Sequence, residues 1–328
     1  MTKDQNIAVV GCGHWGKNLV RNFAELSVLN SIVDDNAENA AKISKQFDVE
    51  SKSWDQVCGS PEIDAIVIAT PAETHSVLAI AALEAGKHVF VEKPIALSVS
   101  DAEQMIDVAK KKNKTLMVGH LLQYHPAFLK IRDLCWNGDL GNLQYVYSNR
   151  LNLGRLRTEE NILWSFAPHD ISMCLSLFGT MPTIVMATGE AYITPGIVDV
   201  TTTHMKFDDG RAAHIHVSWL HPFKEQRLVV IGDKAMAVFD DSQDWDKKVQ
   251  LYSHAVDIRD GIPDARKADV KNISILPTEP LRLECQHFID CIRTGTPPRT
   301  DAVEGLRVLK VLDGAQKSLD SHKAVAIQ

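Results

Sequence analysis

The stretch Ile7-Ala8-Val9-Val10-Gly11-Cys12-Gly13-His14-Trp15-Gly16 decides the fold. An apolar run leads straight into G-x-G-x-x-G, which predicts a buried strand, a tight turn and a helix running to Glu25. In that pattern the first glycine permits the turn, the second lets a pyrophosphate approach the backbone, and the third packs helix on strand. The phosphates then sit at the positive end of the helix. A second predicted strand ends at Ile32-Val33-Asp34, and Asp34 stands about twenty residues on, where a carboxylate accepts from the ribose hydroxyls. No arginine follows in Asp35-Asn36-Ala37-Glu38, so a 2′-phosphate would be repelled and NAD, rather than NADP, is the expected cofactor. Gly11, Cys12, Gly13, His14, Trp15, Gly16 and Asp34 are the first candidate contacts to it.

A later stretch, His88-Val89-Phe90-Val91-Glu92-Lys93-Pro94, puts a lysine and a rigid proline just beyond another apolar strand. In a parallel sheet that strand end lies on the same rim as the glycine loop. The pair of motifs points to redox chemistry on a bound small molecule.

The chain has 328 residues, more than one core usually organises, and two domains are expected. Its net charge of −7 leaves no basic footprint for nucleic acid. No apolar run is long enough to span a bilayer, and Met1-Thr2-Lys3-Asp4-Gln5 lacks the apolar core of a secretory signal, so a cytoplasmic protein is expected. The six cysteines, Cys12, Cys58, Cys135, Cys174, Cys285 and Cys291, include no Cys-x-x-Cys pair and read as reduced packing residues. No Cys/His/Asp cluster has ligand spacing, and no metal is expected.

The first 120 residues alternate strand and helix, the pattern of a doubly wound parallel sheet. Ala65-Ile66-Val67-Ile68-Ala69 is a strand; Thr70, Pro71 and Glu73 then predict a capping box opening the next helix. A second box, Ser100 with Glu103, is predicted to start a helix ending at Lys110-Lys111-Lys112, and Thr115 to Val118 reads as the last parallel strand. From Gln144 the strands lengthen. Val198 to Phe207 and Arg211 to Leu220 flank Asp208-Asp209-Gly210, and Arg227 to Ile231 and Ala235 to Phe239 flank Gly232-Asp233, predicting antiparallel hairpins. The segment from Tyr252 to Ile275 reads as a long irregular surface loop. Pro280 to Thr294 and Val303 to Leu319 read as amphipathic helices, the latter with Val303, Leu306, Leu309, Leu312, Ala315 and Leu319 as a core stripe. The expected fold class is α/β: a Rossmann doubly wound parallel sheet over residues 1–120, then an α+β domain over 121–328 with a large, mostly antiparallel open sheet. The C-terminal helices are expected to pack back on the first domain. An open sheet needs cover on its bare face, and self-association as a homodimer or homotetramer is expected, with a covering helix as the alternative.

Several further motifs complete a pattern: Ala69-Thr70-Pro71 with His75, Gly86-Lys87-His88-Val89 leading into Glu92-Lys93-Pro94, Val118-Gly119-His120, Gly138-Asp139-Leu140-Gly141, and Phe288-Ile289 through Pro297. Over essentially its whole length the chain resembles the Gfo/Idh/MocA oxidoreductases. The resemblance implies that Thr70, Pro71, His75, Glu92 and Lys93 join the cofactor contacts and that Lys93 lies beside the nicotinamide and the reacting carbinol. A buried ammonium there would stabilise alkoxide character as carbon gives hydride to NAD. Pro94 fixes the chain locally, and an X-Pro bond is where a cis peptide is affordable. The family's catalytic histidine corresponds to His169 in Leu163-Trp164-Ser165-Phe166-Ala167-Pro168-His169-Asp170-Ile171. Many members carry an aspartate four residues earlier; Ser165 stands there in this chain, which shifts weight to His169 and Lys93. Asp170 either orients a neighbour or caps a helix.

Within the family, Asn149 through Asn161, Trp164 through Ile171, and Ser218-Trp219-Leu220-His221-Pro222-Phe223-Lys224 most resemble dehydrogenases of the 3-hydroxyl of UDP-N-acetylglucosamine or its uronate. That similarity implies a nucleotide-sugar substrate contacted by His120, Gln123, Tyr124, Arg150, Asn152, Arg155, Arg157, Ser165, His169 and Asp170. His125 is a further cleft-side histidine. Arginines suit a diphosphate because the guanidinium pairs bidentately. The keto product would then feed amino-sugar synthesis for cell-surface glycans such as lipopolysaccharide. Two alternatives stay open: a dehydrogenase of a free polyol such as inositol, and a non-enzymatic protein that senses dinucleotide or binds a partner.

Overall fold

A computed structural model describes residues 5–327. Met1 to Asp4, read above as lacking a signal core, lie outside the described residues. The chain divides into two compact units, one holding the chain through Tyr124 together with Glu279–Leu309, the other His125–Thr278 with the chain from Lys310 onward.

In the first unit the elements are β1 (Ile7–Val10), α1 (Gly16–Glu25), β2 (Leu29–Val33), α2 (Ala37–Phe47), β3 (Glu50–Ser51), α3 (Trp54–Gly59), β4 (Ala65–Ile68), α4 (His75–Glu84), β5 (His88–Glu92), α5 (Val99–Lys112) and β6 (Leu116–Gly119). Their strands form a parallel sheet in the order β3-β2-β1-β4-β5-β6. β1 and β4 are buried throughout, as continuous apolar runs covered on both faces must be. β1 pairs with β2 and β4, which brings the glycine loop to the rim where β4 and β5 also end. Phe23 of α1 and Phe90 of β5 share one core, and Phe288 meets Phe90 edge-on at 5.7 Å between ring centres. Such a pair adds about 0.5–1.5 kcal/mol to simple burial.

Two local expectations fail. Thr70 forms no capping box: its hydroxyl meets that of Thr74 at 2.6 Å, and Pro71 leads into a short 3₁₀ turn, Ala72–Thr74, ahead of α4. The cap of α5 is Ser98, which accepts from the Asp101 N–H, while Ser100 only pairs its hydroxyl with that of Ser98. The helix starts two residues earlier than expected, so Ser98 takes the cap.

The second unit opens with α6 (Pro126–Trp136), β7 (Leu143–Leu153), α7 (Ile162–Phe178), β8 (Ile184–Glu190), β9 (Val200–Lys206), β10 (Ala212–Ser218), β11 (Leu220–Gly232) and β12 (Met236–Asp240). It continues with β13 (Val249–Tyr252), β14 (Ala255–Arg259), β15 (Ile262–Arg266) and β16 (Val270–Asn272). After α8 (Pro280–Thr294) of the first unit come α9 (Ala302–Ser321) and β17 (Val325–Ala326). Among the described residues a 9-stranded sheet runs β16-β13-β12-β11-β7-β10-β9-β8-β17; β7 and β10 are parallel and the other pairs antiparallel. Both predicted hairpins form. α7 packs on β7, β9 and β10, so Val146, Ser148, Ile215 and Val217 are buried.

The segment from Tyr252 to Ile275 is not an irregular loop. β14 and β15 make a two-stranded hairpin and β16 extends the main sheet. Its apolar residues, Val256, Ile258 and Ile262, are exposed, so no buried stripe advertised the strands. In α9, Leu309, Leu312, Ala315 and Leu319 are buried as the stripe required, but Val303 is 39% exposed. It occupies the solvent side of the first turn beside buried Ala302.

Candidate functional site

The first unit carries a dinucleotide cradle. Gly11 has a left-handed backbone, φ +82°, and a side chain there would meet the Ala69 carbonyl. At Gly16 an added Cβ would lie 1.8 Å from the Gly11 carbonyl oxygen, so α1 and the turn close together only through glycine. Over Gly13 nothing lies within 4 Å. The loop is therefore tight below and open above, the shape a pyrophosphate needs at a helix N-terminus. Asp34 is already aimed: Oδ2 accepts from the Cys12 N–H at 2.8 Å and from Asn39 Nδ2 at 2.9 Å, while Oδ1 accepts from the Asn36 N–H at 2.9 Å. These residues fit NAD. Burial, and then Asp34, push the Cys12 thiol up to about 12, which makes it a packing group. His14 is exposed.

The same rim carries the Glu-Lys-Pro turn. The Lys93–Pro94 bond is cis. Lys93 is half-buried, and Glu92 is buried. Trp15 of the glycine loop donates its indole N–H to Glu92 Oε1 at 2.6 Å, and the Lys93 N–H points to Glu92 Oε2 at 3.2 Å. His75 is buried with Nδ1 2.8 Å from the Pro94 carbonyl and Nε2 2.9 Å from the Thr70 carbonyl. It ties the end of β4 to the lysine turn, and burial lowers its pKa. Sequence and structure thus bring Gly11, Gly13, Gly16, Trp15, Thr70, His75, Glu92 and Lys93 into this unit; Pro71 is exposed beside Thr70.

Three residues expected to face substrate are buried in the first unit. His120 is buried with Nδ1 2.6 Å from Glu304 Oε2. Tyr124 lies in the core, its hydroxyl 2.9 Å from that of Thr300 and its ring under the Arg299 guanidinium. Tyr124 is a packing residue because the 3₁₀ turn Leu121–Tyr124 rolls it inward. Gln123 is buried in that turn, and its backbone carbonyl accepts from Arg299 Nη1 at 2.7 Å.

In the second unit His169 is half-buried on α7, one turn beyond buried Ser165, with Pro168 inside the helix. Asp170 neither caps a helix nor waits for ligand. It accepts from Arg150 Nε at 2.7 Å, from Arg150 Nη2 at 3.1 Å and from the Ser148 hydroxyl at 2.6 Å. Arg150, expected to bind a diphosphate, is thus spent on a buried ion pair that locks β7 to α7. Arg155 is exposed and Arg157 meets Glu160 at 2.8 Å. Asn152 keeps its Oδ1 buried with no hydrogen-bond partner among the described residues. His125 caps α6, stacks on Trp245 and pairs with Asp241, which accounts for it structurally. Sequence reasoning missed Asn39, the Trp15–Glu92 bond and the buried acid Glu284; only Trp15 and Glu92 stood in motifs, 77 residues apart.

Among the described residues no group of three metal-ligating side chains forms, and no helix is long and apolar enough to cross a membrane. Two family models match the chain: an oxidoreductase family with an NAD-binding Rossmann fold over residues 5–120, and a GFO/IDH/MocA C-terminal domain over residues 128–238. A UDP-N-acetylglucosamine 3-dehydrogenase of Acidithiobacillus ferrooxidans is 28% identical over 92% of this chain and 93% of its own. An NAD-dependent scyllo-inositol 2-dehydrogenase of Bacillus subtilis is 27% identical over 98% of this chain and 95% of its own. A solved structure of the Acidithiobacillus ferrooxidans UDP-N-acetylglucosamine 3-dehydrogenase superposes with a TM-score of 0.86 at 26% identity, covering 96% of this chain and 97% of that one.

Proposed function

We propose, from the premise that this chain belongs to the Gfo/Idh/MocA oxidoreductases, that it oxidises the 3-hydroxyl of a UDP-N-acetylhexosamine, or of its C6 uronate, to the 3-keto sugar. The class of activity, an NAD-dependent dehydrogenase acting on CH–OH, belongs to the family; the substrate is the proposal. What carries it is the similarity to a UDP-N-acetylglucosamine 3-dehydrogenase along 92% of the chain, and the exposed Arg155 of the second unit adds a cation suited to a diphosphate.

NAD supplies the hydride acceptor when bound. Asp34 would hold a ribose of NAD, and the Gly11–Gly16 turn would seat its pyrophosphate. The hydroxyl loses its proton to His169 as its carbon loses hydride, and the Lys93 ammonium stabilises the charge that gathers on oxygen. Ser165 stands one helical turn before His169, where many members carry an aspartate. The 3-keto product is a substrate for an aminotransferase, which fits supply of amino sugars to cell-surface glycans; a coupled aminotransferase assay yielding no amino sugar would remove that step.

The deciding experiment follows NADH formation with UDP-N-acetylglucosamine, its uronate and myo-inositol, each with a ketone trap. One UDP-sugar is expected to turn over. Lys93→Met should lose about 10²–10⁴-fold in kcat with NAD binding retained. Turnover of the polyol alone would overturn the substrate in favour of the inositol reading, for which the scyllo-inositol 2-dehydrogenase relative speaks. NAD binding without turnover on any sugar, and with Lys93→Met indistinguishable, would leave a dinucleotide sensor.

The proposal extends to a homodimer or homotetramer built on the outer face of the 9-stranded sheet. There Tyr145, Tyr147 and His214 stack, next to exposed Ile184 and Met186. Light scattering that finds a monomer at working concentrations would sink this part alone.

A further inference from the structure

Trp15 is an odd residue for a phosphate-binding turn, bulky and 38% exposed. Its indole N–H reaches Glu92 Oε1 at 2.6 Å. Trp15 follows β1 and Glu92 ends β5, between which β4 intervenes, so the side chain bridges over a strand. At the other end Glu92 sits in a place made for it. It is 8% exposed, its Oε2 lies 3.2 Å from the Lys93 N–H, and Gly119 of β6 leaves the room: a Cβ there would be 2.9 Å from the Glu92 carboxyl carbon. A buried carboxylate with an indole donor on one oxygen and a backbone donor on the other is fixed in position.

We propose that Trp15 and Glu92 form a latch through which the dinucleotide loop positions Lys93, Glu92 being the anion that holds the lysine in place and Trp15 the residue that holds the anion. This rests on the reading of Lys93 as the charge-handling residue. Its chemical content is that seating the dinucleotide and aligning the ammonium are one event. Trp15 and Glu92 are positioning residues; neither transfers a proton or hydride.

The groups that face Glu92 set the sign of its pH dependence. Burial dominates and holds its pKa above the ordinary carboxylate value, although the Trp15 N–H, the Lys93 ammonium and N–H, and His120 at the end of β6 pull it down. Across from it on α8, Glu284 has its own carboxyl pushed toward neutrality by Glu92. Glu92 is therefore the anion above its pKa and the latch opens as pH falls through it. Removing the indole donor raises that pKa further, so the loss arrives at a higher pH.

The test uses Trp15→Phe, which keeps the ring and deletes the donor, beside Glu92→Gln. Loss of a hydrogen bond to a buried charge predicts a kcat lowered on the order of tenfold to a hundredfold, with the sugar KM within about twofold and the acid limb of the kcat profile moved to higher pH. The double variant should be no slower than Glu92→Gln alone, since both remove one interaction. A second readout needs no turnover. The chain has 6 tryptophans; with 5-fluorotryptophan in their place, the ¹⁹F line missing in Trp15→Phe is that of Trp15. That line should move on addition of NAD alone and titrate with pH, and both the titration and part of the NAD response should vanish in Glu92→Gln. A Trp15 line whose pH response survives Glu92→Gln, or a Trp15→Phe enzyme with the parent's kcat and acid limb, overturns the latch. Should no sugar turn over, the substrate reading fails by itself and the ¹⁹F response still decides the latch.

Discussion

Asp170 and Glu284 are both wholly excluded from solvent, one in each unit, and the protein solves the same electrostatic problem in opposite ways. Asp170 is surrounded by donors: two nitrogens of Arg150 and the hydroxyl of Ser148. Glu284, on α8 among Leu281, Cys285 and Phe288, has no hydrogen-bond partner for either oxygen among the described residues. Its pKa is pushed well above the ordinary range, by burial first and then by Glu92 and Glu304. A buried charge is tolerated when paired; a buried carboxyl without donors keeps its proton instead. The first arrangement is a structural lock between β7 and α7. The second is a donor-poor carboxyl inside the dinucleotide-binding unit, whose pKa Glu92 helps to raise.

The comparison breaks most visibly at Asp170. Asp170→Ala strands the Arg150 guanidinium, whose side chain is only 12% exposed, and leaves Ser148 without its acceptor. Removing one partner of such a pair costs about 3–5 kcal/mol. Urea unfolding followed by circular dichroism should show that loss, and because His169 is the preceding residue on α7, activity should fall with it. A cost below about 1 kcal/mol would mean that the pair behaves like a surface ion pair and that Arg150 is available to a ligand after all.

Why sequence reading reached some of this and not the rest is a matter of range. The glycine loop, the cis Lys93–Pro94 turn, the Asp208-Asp209-Gly210 hairpin and the bounds of α8 are local: each depends on residues a few positions apart, whose backbone preferences are strong. The cap of α5 is local too, yet Ser98 and Ser100 offer the same chemistry two residues apart, and only the backbone turn chooses between them. The hairpin β14–β15 alternates Val256 and Ile258, but those side chains stay exposed, so burial gave no period to detect. The commitments of single side chains were the least visible. Arg150 finds Asp170 20 residues away through the packing of a helix on a strand, and Trp15 finds Glu92 77 residues away across a sheet rim. Motif position put Arg150 and Tyr124 among the ligand contacts; tertiary packing gave Arg150 a carboxylate and Tyr124 a place in the core.

Glu284 offers the smaller effect and the sharper test, because its sign depends on pH. In the unfolded chain the carboxyl titrates at the ordinary value of 4.5; in the folded chain it holds its proton to higher pH. Below 4.5 both states bind the proton and burial of the neutral acid costs no ionisation. Above it the unfolded state releases a proton that the folded state retains, so stability falls by about 1.4 kcal/mol for each pH unit until the folded pKa is passed. Glu284→Gln has the shape of the neutral acid and does not titrate. At pH 5 it should therefore match the parent closely, and at pH 8 it should be the more stable protein, the gap between the two urea-unfolding curves widening as pH rises. Subtracting the two proteins removes every other titrating group that the substitution leaves alone. Equal pH slopes would show that Glu284 ionises as an ordinary carboxylate with partners in solution, and the contrast with Asp170 would then vanish. A gap that opens with pH would establish a carboxylic acid at Glu284 that keeps its proton in the folded chain where the unfolded chain has lost it.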